Sequence, residues 1–378
     1  MRRCIVCSGE FFKEPLLIYK NMPSAAQNMP TQLEVTRDYG IDLELYQCSC
    51  CGLIQFAVEP VNYYKDVIRA SSFGKTITDL RRKQYKDFIE KFNLYDKKIL
   101  EIGCGQGEFL EILKEFNVKP FGIENKKELV DRGIRKNLNI VQGFIEGKEN
   151  VIQNGKFDAF LSFNFLEHQP NPNGMLQGIH ENLVDEGVGI ITVPSFEYFI
   201  ENDSFYEFIR DHIAYYTEET LTFLLQKNGF QIVEISRFNR DTISAYVKKR
   251  SRADLSKFQL NFNQLTEDIN TYIDLLKKND NKVAIWGASH QCFTILSAAE
   301  LQGKIEYIID SATFKQGKYS PATHIPIVSP EFYFTNKVQA IIVIAPGYSQ
   351  EIIQIIKKHY NDDIKIAVIQ SRTLEYIN

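Results

Sequence analysis

The sequence predicts an α/β protein built on an open, mostly parallel sheet, with a small metal-stapled unit ahead of it and a second strand–helix series behind it. Three observations carry that expectation. Short apolar runs alternate with amphipathic helical patterns from residue 73 onward, the signature of a parallel sheet covered by helices. A glycine-rich turn, Gly103-Cys104-Gly105-Gln106-Gly107, joins one such run to the next helix. Two Cys-x-x-Cys pairs, Cys4/Cys7 and Cys48/Cys51, fall within the first 51 residues.

The chain has 378 residues, 44% apolar and 24% charged. At ~150 residues per domain that length calls for two or three domains. A net charge of −4, from 44 basic and 48 acidic residues, shows no basic excess or stripe for nucleic acid. No apolar run reaches the ~18 residues that would span a bilayer, and the charged, cysteine-bearing start lacks a signal-peptide core. A soluble, cytoplasmic protein with neither nucleic-acid nor membrane partner is expected.

Residues 1–72 hold turn-prone stretches such as Met22-Pro23-Ser24, short apolar runs and no long helix. So small a unit needs a staple, and the cysteine pairs supply one. Four thiolates, Cys4, Cys7, Cys48 and Cys51, suit tetrahedral zinc with no position left open, so the site is structural. Cys50 is the spare thiol, because Cys51 completes the x-x spacing. The alternative is a set of unmetallated buried cysteines. An odd total of seven argues against a disulfide framework.

Residues 73–249 carry the main alternation. Helices are expected over Leu80–Phe92, Glu108–Phe116, Lys126–Arg135, Met175–Leu183 and Thr217–Asn228, the last closed by Gly229. Strands are expected over Lys98–Ile102, Pro120–Glu124, Phe157–Phe163 and Gly187–Val193. Phe230–Ser236 and Thr242–Lys248 then close the domain as an antiparallel hairpin. Residues 250–281 read as a helical connector. Residues 282–378 begin a second series, with strands at Val283–Trp286, Lys304–Asp310 and Lys337–Ala345 and a helix at Gln350–His359.

Glycines at a strand-to-helix turn let backbone approach a ligand, and the helix start adds donors. Glu124 ends the next strand, 21 residues after Gly103, where a carboxylate can accept both ribose hydroxyls. NAD binding and a purely structural turn are the alternatives. The glycine loop, Glu124 and the terminal hairpin together resemble the class I S-adenosylmethionine-dependent methyltransferases. That resemblance implies that Glu101, Gly103, Gly105 and Gly107 line the methionine and ribose end of the cofactor. It places Glu124 and Asn125 at the ribose, and Gln142 and Phe144 at the adenine, with Phe144 as core residue the other option. Asn164 and His168 follow the fourth strand, near where donor meets acceptor; for His168 a structural role is the competing reading.

Between Pro194 and Thr217, eight of 22 residues are aromatic against 12% for the chain. The segment follows the fifth strand, at the edge where open α/β sheets bind ligands. Asp211-His212 stands out in it, because a histidine can remove a proton near neutral pH. Adjacent residues rarely pair, so Asp211 has substrate binding as its alternative role.

The whole chain is similar to the sugar C-methyltransferases that act on nucleotide-linked 4-keto-deoxysugars. The matches are Cys48-Ser49-Cys50-Cys51-Gly52-Leu53, the glycine loop, Asp211-His212-Ile213-Ala214-Tyr215-Tyr216, and the C-terminal Trp286-Gly287-Ala288 and Lys315-Gln316-Gly317 stretches. The resemblance implies a zinc-binding module (1–72), a methyltransferase domain with a class I Rossmann-like sheet (73–249), a helical connector (250–281) and a Rossmann-like C-terminal domain (282–378). It implies S-adenosylmethionine as cofactor, structural zinc, and a nucleotide-linked sugar as partner. It also makes His212 the base that removes a proton beside a ketone, with Asp211 next to it and Tyr215 or Tyr216 as donor or positioning group. Lys315 and His324 of the C-terminal lobe are placed either against substrate or on the surface.

Three positions depart from the family pattern. Asp211 replaces a glutamate. Val67-Ile68-Arg69-Ala70-Ser71-Ser72 lacks two tyrosines, with Arg69 as an anion-binding or surface residue, and no Gly-Gly-Ser precedes Ser244. The rival activities are O- or N-methylation of a related sugar or small metabolite, and non-catalytic binding of a nucleotide sugar.

Overall fold

The computed structural model describes residues 3–27, 29–66 and 74–377. Arg69 and the rest of the Val67–Ser72 stretch lie outside them. The chain divides into two compact units, 1–251 and 252–378.

The first unit opens with β1 (Leu17–Met22), β2 (Ile41–Gln47) and β3 (Ile54–Phe56), an antiparallel meander. Helix α1 (Lys75–Phe92) follows, ended by Asn93 in the left-handed region at φ 50°. Then come β4 (Lys98–Ile102), α2 (Glu108–Leu113), β5 (Lys119–Glu124), α3 (Lys127–Arg135), β6 (Ile140–Gln142) and β7 (Phe157–Phe163). Helix α4 (Pro172–Asn182) starts with proline at its first turn, and the Asn171 side chain accepts from Gly174 N at 3.0 Å, a pre-organised and capped beginning. After β8 (Leu183–Pro194) and α5 (Phe196–Glu201) come β9 (Ala214–Tyr215) and α6 (Glu218–Lys227). Thr217 and Thr220 close a reciprocal capping box on α6. Strands β10 (Phe230–Phe238) and β11 (Thr242–Lys249) form the expected hairpin.

The large sheet runs β10-β11-β8-β7-β4-β5-β6. Its five strands from β8 to β6 are parallel and β11 is antiparallel. Counted along this sheet alone, the order is 3-2-1-4-5-7-6, the class I methyltransferase arrangement expected from the sequence. Buried strands such as β7, apolar on both faces, account for the continuous apolar runs.

The meander is not an independent module. Strand β9, from the aromatic segment after β8, pairs with β3 and makes the order β1-β2-β3-β9. Cys4, Val6, Cys48 and Leu53 share one apolar cluster with Leu166, Leu176, Tyr216 and Leu221 of the sheet domain.

The second unit begins with α7 (Ser256–Lys278), followed by β12 (Val283–Trp286), α8 (His290–Ala298), β13 (Ile308–Ile309), β14 (Ile327–Val328), β15 (Ala340–Val343), α9 (Ser349–His359), β16 (Lys365–Gln370) and β17 (Thr373–Ile377). The sheet order is β14-β13-β12-β15-β16-β17, parallel except for β17. Helix α7 is more than a connector: its Ile269, Tyr272, Ile273 and Leu276 bury against Val283, Ile285 and Leu296. Only two residues of the expected Lys304–Asp310 strand pair with neighbours. Among the described residues no helix is long and apolar enough to cross a membrane.

Candidate active site

In the large sheet the chain runs outward from β4 through β5 to β6, then returns to the other side of β4 as β7. That switch point is where open α/β sheets bind ligands, at the carboxyl ends of the strands. A cavity of about 470 Å³ lies there, within the range of small-molecule sites. Ile102, Glu124, Gly143, Asn164 and Pro194, one from the end of each parallel strand, all line it.

The glycines divide by role. Gly103 has φ +64°, lines the cavity, and a Cβ there would meet only the Phe165 ring at 3.5 Å. Gly105 N donates to Glu124 Oε2 at 3.0 Å, while Lys126 N donates to Oε1 at 2.9 Å. These bonds pin the loop to the end of β5. Gly107 serves packing: at φ +86° its Cβ would stand 2.3 Å from Leu138 and 3.1 Å from Ile140. Gly107 is absent from the cavity lining, and its bare face looks into the core.

Glu124 lines the cavity although only 7% exposed, and burial raises its carboxyl above the ordinary range. An ionised carboxylate keeps about four lone-pair sites, so both oxygens retain capacity for ribose hydroxyls. Asn125 lines the cavity and donates to Asp66 at 2.6 Å. Gln142 is exposed, bonds Asn125 O at 3.2 Å, and is absent from the cavity lining. Phe144 lines the cavity, with Tyr64 and Phe165 each 6.0 Å from it in edge-on geometry. Glu101 is fully buried beneath the loop.

Arg81 on α1 escaped the sequence reading. Its guanidinium stacks 3.4 Å over Phe163 and lines the same cavity. An arginine within an amphipathic helix pattern, 22 residues before the glycine loop, carries no local signal.

The acceptor end gathers around His212. Asp211 is held twice, by Ala26 N at 2.9 Å and by the Tyr63 hydroxyl at 2.6 Å. Its backbone carbonyl accepts from His168 Nδ1 at 2.8 Å. Since a carbonyl cannot donate, His168 carries its proton on Nδ1 and leaves Nε2 as acceptor. His168 and His212 meet edge to face with ring centres 4.8 Å apart, and both line the cavity. Among the described residues His212 Nδ1 has no hydrogen-bond partner. Burial, with the neighbouring His168, pushes the His212 imidazole down to about 3, and burial also lowers His168. Both rings are therefore neutral near pH 7.

Tyr215 and Tyr216 do not reach the cavity. The Tyr215 hydroxyl accepts from Ile209 N at 3.1 Å, and its ring packs among Phe56, Phe196, Phe199 and Phe208. Tyr216 is fully buried, in electrostatic reach of Glu167, Cys4 and Cys51. The expectation that either donates to substrate is corrected. An aromatic count cannot tell which rings the neighbouring sheet will take as core.

The four cysteines converge as their spacing requires. Sulfur–sulfur distances are 3.6 Å for Cys4–Cys51 and 3.4 Å for Cys7–Cys48, near the ~3.8 Å edge of a tetrahedron with 2.3 Å zinc–sulfur bonds. Gly9 N donates to Cys7 Sγ and Cys50 N to Cys48 Sγ. The cluster can hold a metal ion, and Cys50 is exposed outside it.

Residues 78–235 match the model of a methyltransferase domain, and residues 241–369 that of a C-methyltransferase C-terminal domain. The C-methyltransferase NovU of Streptomyces niveus is 22% identical over 388 aligned positions, covering 93% of this chain and 91% of that protein. The chain is an S-adenosylmethionine-dependent methyltransferase. The ubiquinone biosynthesis O-methyltransferase of Colwellia psychrerythraea matches this methyltransferase more narrowly, 27% identical over 25% of this chain and 40% of its own. Among solved structures, an S-adenosylmethionine-dependent methyltransferase from Clostridium acetobutylicum overlays with TM-score 0.39 and 16% identity, covering 50% of the methyltransferase and 96% of that chain. The sheet order, not such overlays, carries the fold.

Proposed function

We propose that the methyltransferase adds its methyl group to the carbon beside a carbonyl in a nucleotide-linked keto-deoxysugar, with His212 as the base. The observation that carries this is His212 Nδ1, without a hydrogen-bond partner among the described residues, on a ring that lines the same cavity as Gly103 and Glu124. A neutral imidazole with a free lone pair accepts a proton, and an oxygen or nitrogen nucleophile has less need of a dedicated base than a carbon acid. His212 takes the proton from the carbon, whose electron pair delocalises onto the carbonyl oxygen as an enolate.

S-adenosylmethionine, when bound, supplies an electrophilic methyl group on sulfur. The residues at the strand ends fit it: Glu124 for the ribose, Phe144 for the adenine, Gly103 for close backbone approach. Arg81 suits the methionine carboxylate, because its planar fork can pair both oxygens. Asn164 lines the same cavity, its side chain accepting from Thr192 Oγ1 at 2.8 Å. Asp211 positions the segment carrying His212, since both its oxygens are already engaged by protein donors. Cys4, Cys7, Cys48 and Cys51 hold zinc in a closed, structural site.

The test is incubation with labelled methyl donor and a panel of nucleotide-linked keto-deoxyhexoses, with the product's methyl position read by NMR. In buffer with S-adenosylhomocysteine, the acceptor's α-deuterium should wash out, and His212→Ala should stop it. A methyl group on oxygen or nitrogen, or exchange indifferent to His212, overturns the reading.

A further inference from the structure

With both tyrosines turned away, an enolising site built on His212 lacks its expected donor to the carbonyl oxygen. The residue beside His168 fills that place. Glu167 is 2% exposed yet contributes to the cavity wall, and among the described residues its Oε2 has no hydrogen-bond partner. Its backbone is fixed, because Ile213 N donates to Glu167 O at 2.9 Å, immediately after His212. Its carboxylate oxygen, a ring nitrogen of His168 and one of His212 all lie within 4.8 Å of one another.

We infer that Glu167 is a catalytic residue in its protonated form, donating its O–H hydrogen bond to the carbonyl oxygen as His212 removes the neighbouring carbon's proton. This rests on the proposed role of His212. The geometry suits it: the carbon and the oxygen of an enolisable unit are two bonds apart, so the groups serving them must be close neighbours on one wall. The carbon–hydrogen bond breaks and its proton goes to His212; the electron pair moves to the oxygen, which Glu167 holds by hydrogen bond. When the carbon takes the methyl group, the sulfur–methyl bond breaks with its electron pair left on sulfur. The carbonyl then reforms, Glu167 keeps its proton, and His212 returns its own to solvent. A donor matched to the oxyanion is a large source of catalysis, and a carboxylic acid kept neutral by an apolar site is one physical way to supply it.

Burial pushes the Glu167 carboxyl up to about 8. Among the described residues, the groups facing it are His168, His212 and Tyr216, none of them a cation near neutral pH. A divalent metal held by these three side chains is the other use of such a cluster. Glu167 Oε1 and His168 Nε2 stand 3.9 Å apart, wider than the roughly 3.0–3.4 Å between ligands bonded to one metal ion at about 2.1 Å.

The test uses the full chain. In wild-type protein carrying 13C-labelled glutamate side chains, without acceptor, one carboxyl resonance absent from Glu167→Gln should remain protonated at pH 7 and titrate near pH 8. An ionised Glu167 at pH 7 overturns the inference. With the nucleotide-linked keto-deoxyhexoses, Glu167→Ala should slow α-deuterium exchange by 100- to 1,000-fold. Glu167→Gln, whose amide still donates, should retain at least a tenth of the wild-type rate and lose the decline above pH 8. Equal loss in both variants, with unchanged binding of S-adenosylhomocysteine, overturns the donor role. Exchange that depends on His212 but ignores Glu167 overturns this inference alone. Absence of any exchange in wild type, with the carboxyl protonated, sinks the reading of His212 instead. If Glu167→Gln fails to fold, the labelled resonance is assigned by its broadening in wild type when a spin-labelled cofactor analogue binds, and the titration still decides.

Discussion

The Tyr63 hydroxyl donates to Asp211 Oδ1 at 2.6 Å while it accepts from Gln27 N at 3.1 Å. With Ala26 N on Oδ2, these bonds tie a strap of the N-terminal unit to the residue before His212, and Ala26 and Gln27 line the cavity. Removing one donor from a buried acceptor costs about 1–3 kcal/mol. Tyr63→Phe should therefore raise the acceptor KM by roughly tenfold, since 1.4 kcal/mol is a factor of ten. Donor affinity should not change. Steady-state kinetics and calorimetry with S-adenosylhomocysteine check this; an equal loss of donor affinity would contradict it.

Glu167 and His212 give stability opposite dependences on pH. The folded protein holds the Glu167 proton up to about pH 8, whereas an unfolded carboxyl releases it near 4.3, so stability falls as pH rises across that window. His212 is deprotonated in the folded state down to about 3, and the unfolded imidazole protonates below about 6.5. Its contribution therefore rises with pH between those values, as does that of His168, also lowered. Between pH 7 and 8 Glu167 is the larger contributor in this cluster, at about 1 kcal/mol per pH unit, and the opposing effect of the two histidines fades as the unfolded imidazoles lose their protons. Glu167→Gln should flatten the decline in unfolding free energy over that range. Chemical denaturation at pH 6.5, 7.2 and 8 measures it, and parallel slopes for the two proteins would refute it.

The sequence made the large sheet legible because buried parallel strands show as unbroken apolar runs: Lys98–Ile102 and Phe157–Phe163 begin and end where β4 and β7 do. Cap residues did the same for α6, with Thr217 before it and Gly229 beyond it at φ +85°. The acceptor wall was legible only in part. His212 and Asp211 stand out as adjacent titratable residues amid aromatic ones, but the roles of Tyr215 and Tyr216 depend on β9 joining β3, a pairing across about 160 positions that no local period encodes. Arg81 and Glu167 owe their interest to burial, which a helix pattern and a common Glu-His pair do not reveal.

Zinc should report on the acceptor site as well as on stability. The knuckle at Cys48–Cys51 leads directly into β3, whose Ile54 pairs with Tyr215 of β9 three residues beyond His212. Purified protein is expected to contain one zinc per chain. Chelation, or Cys4→Ser, should cost several kcal/mol of stability and reduce methyl transfer more than cofactor binding. Cys50→Ser should leave metal content and melting temperature unchanged. Two metals per chain, or loss of zinc in Cys50→Ser, would contradict the assignment.

Gly103 and Gly107 should respond oppositely to alanine. Both have positive φ, at +64° and +86°, so each substitution carries the left-handed penalty of about 1 kcal/mol. At Gly107 the new methyl would also stand 2.3 Å from Leu138, and overpacking adds typically 1–3 kcal/mol. At Gly103 it would meet only the Phe165 ring at ordinary contact distance, on the cavity side of the turn. Gly107→Ala should thus lower the melting temperature by several degrees, with the remaining folded protein binding S-adenosylhomocysteine nearly normally. Gly103→Ala should melt within a few degrees of wild type but bind that ligand at least tenfold more weakly, because the methyl group takes the space the ligand needs. Thermal denaturation and calorimetry on the two variants decide it, and a Gly103→Ala protein with wild-type affinity would remove the turn from the ligand site.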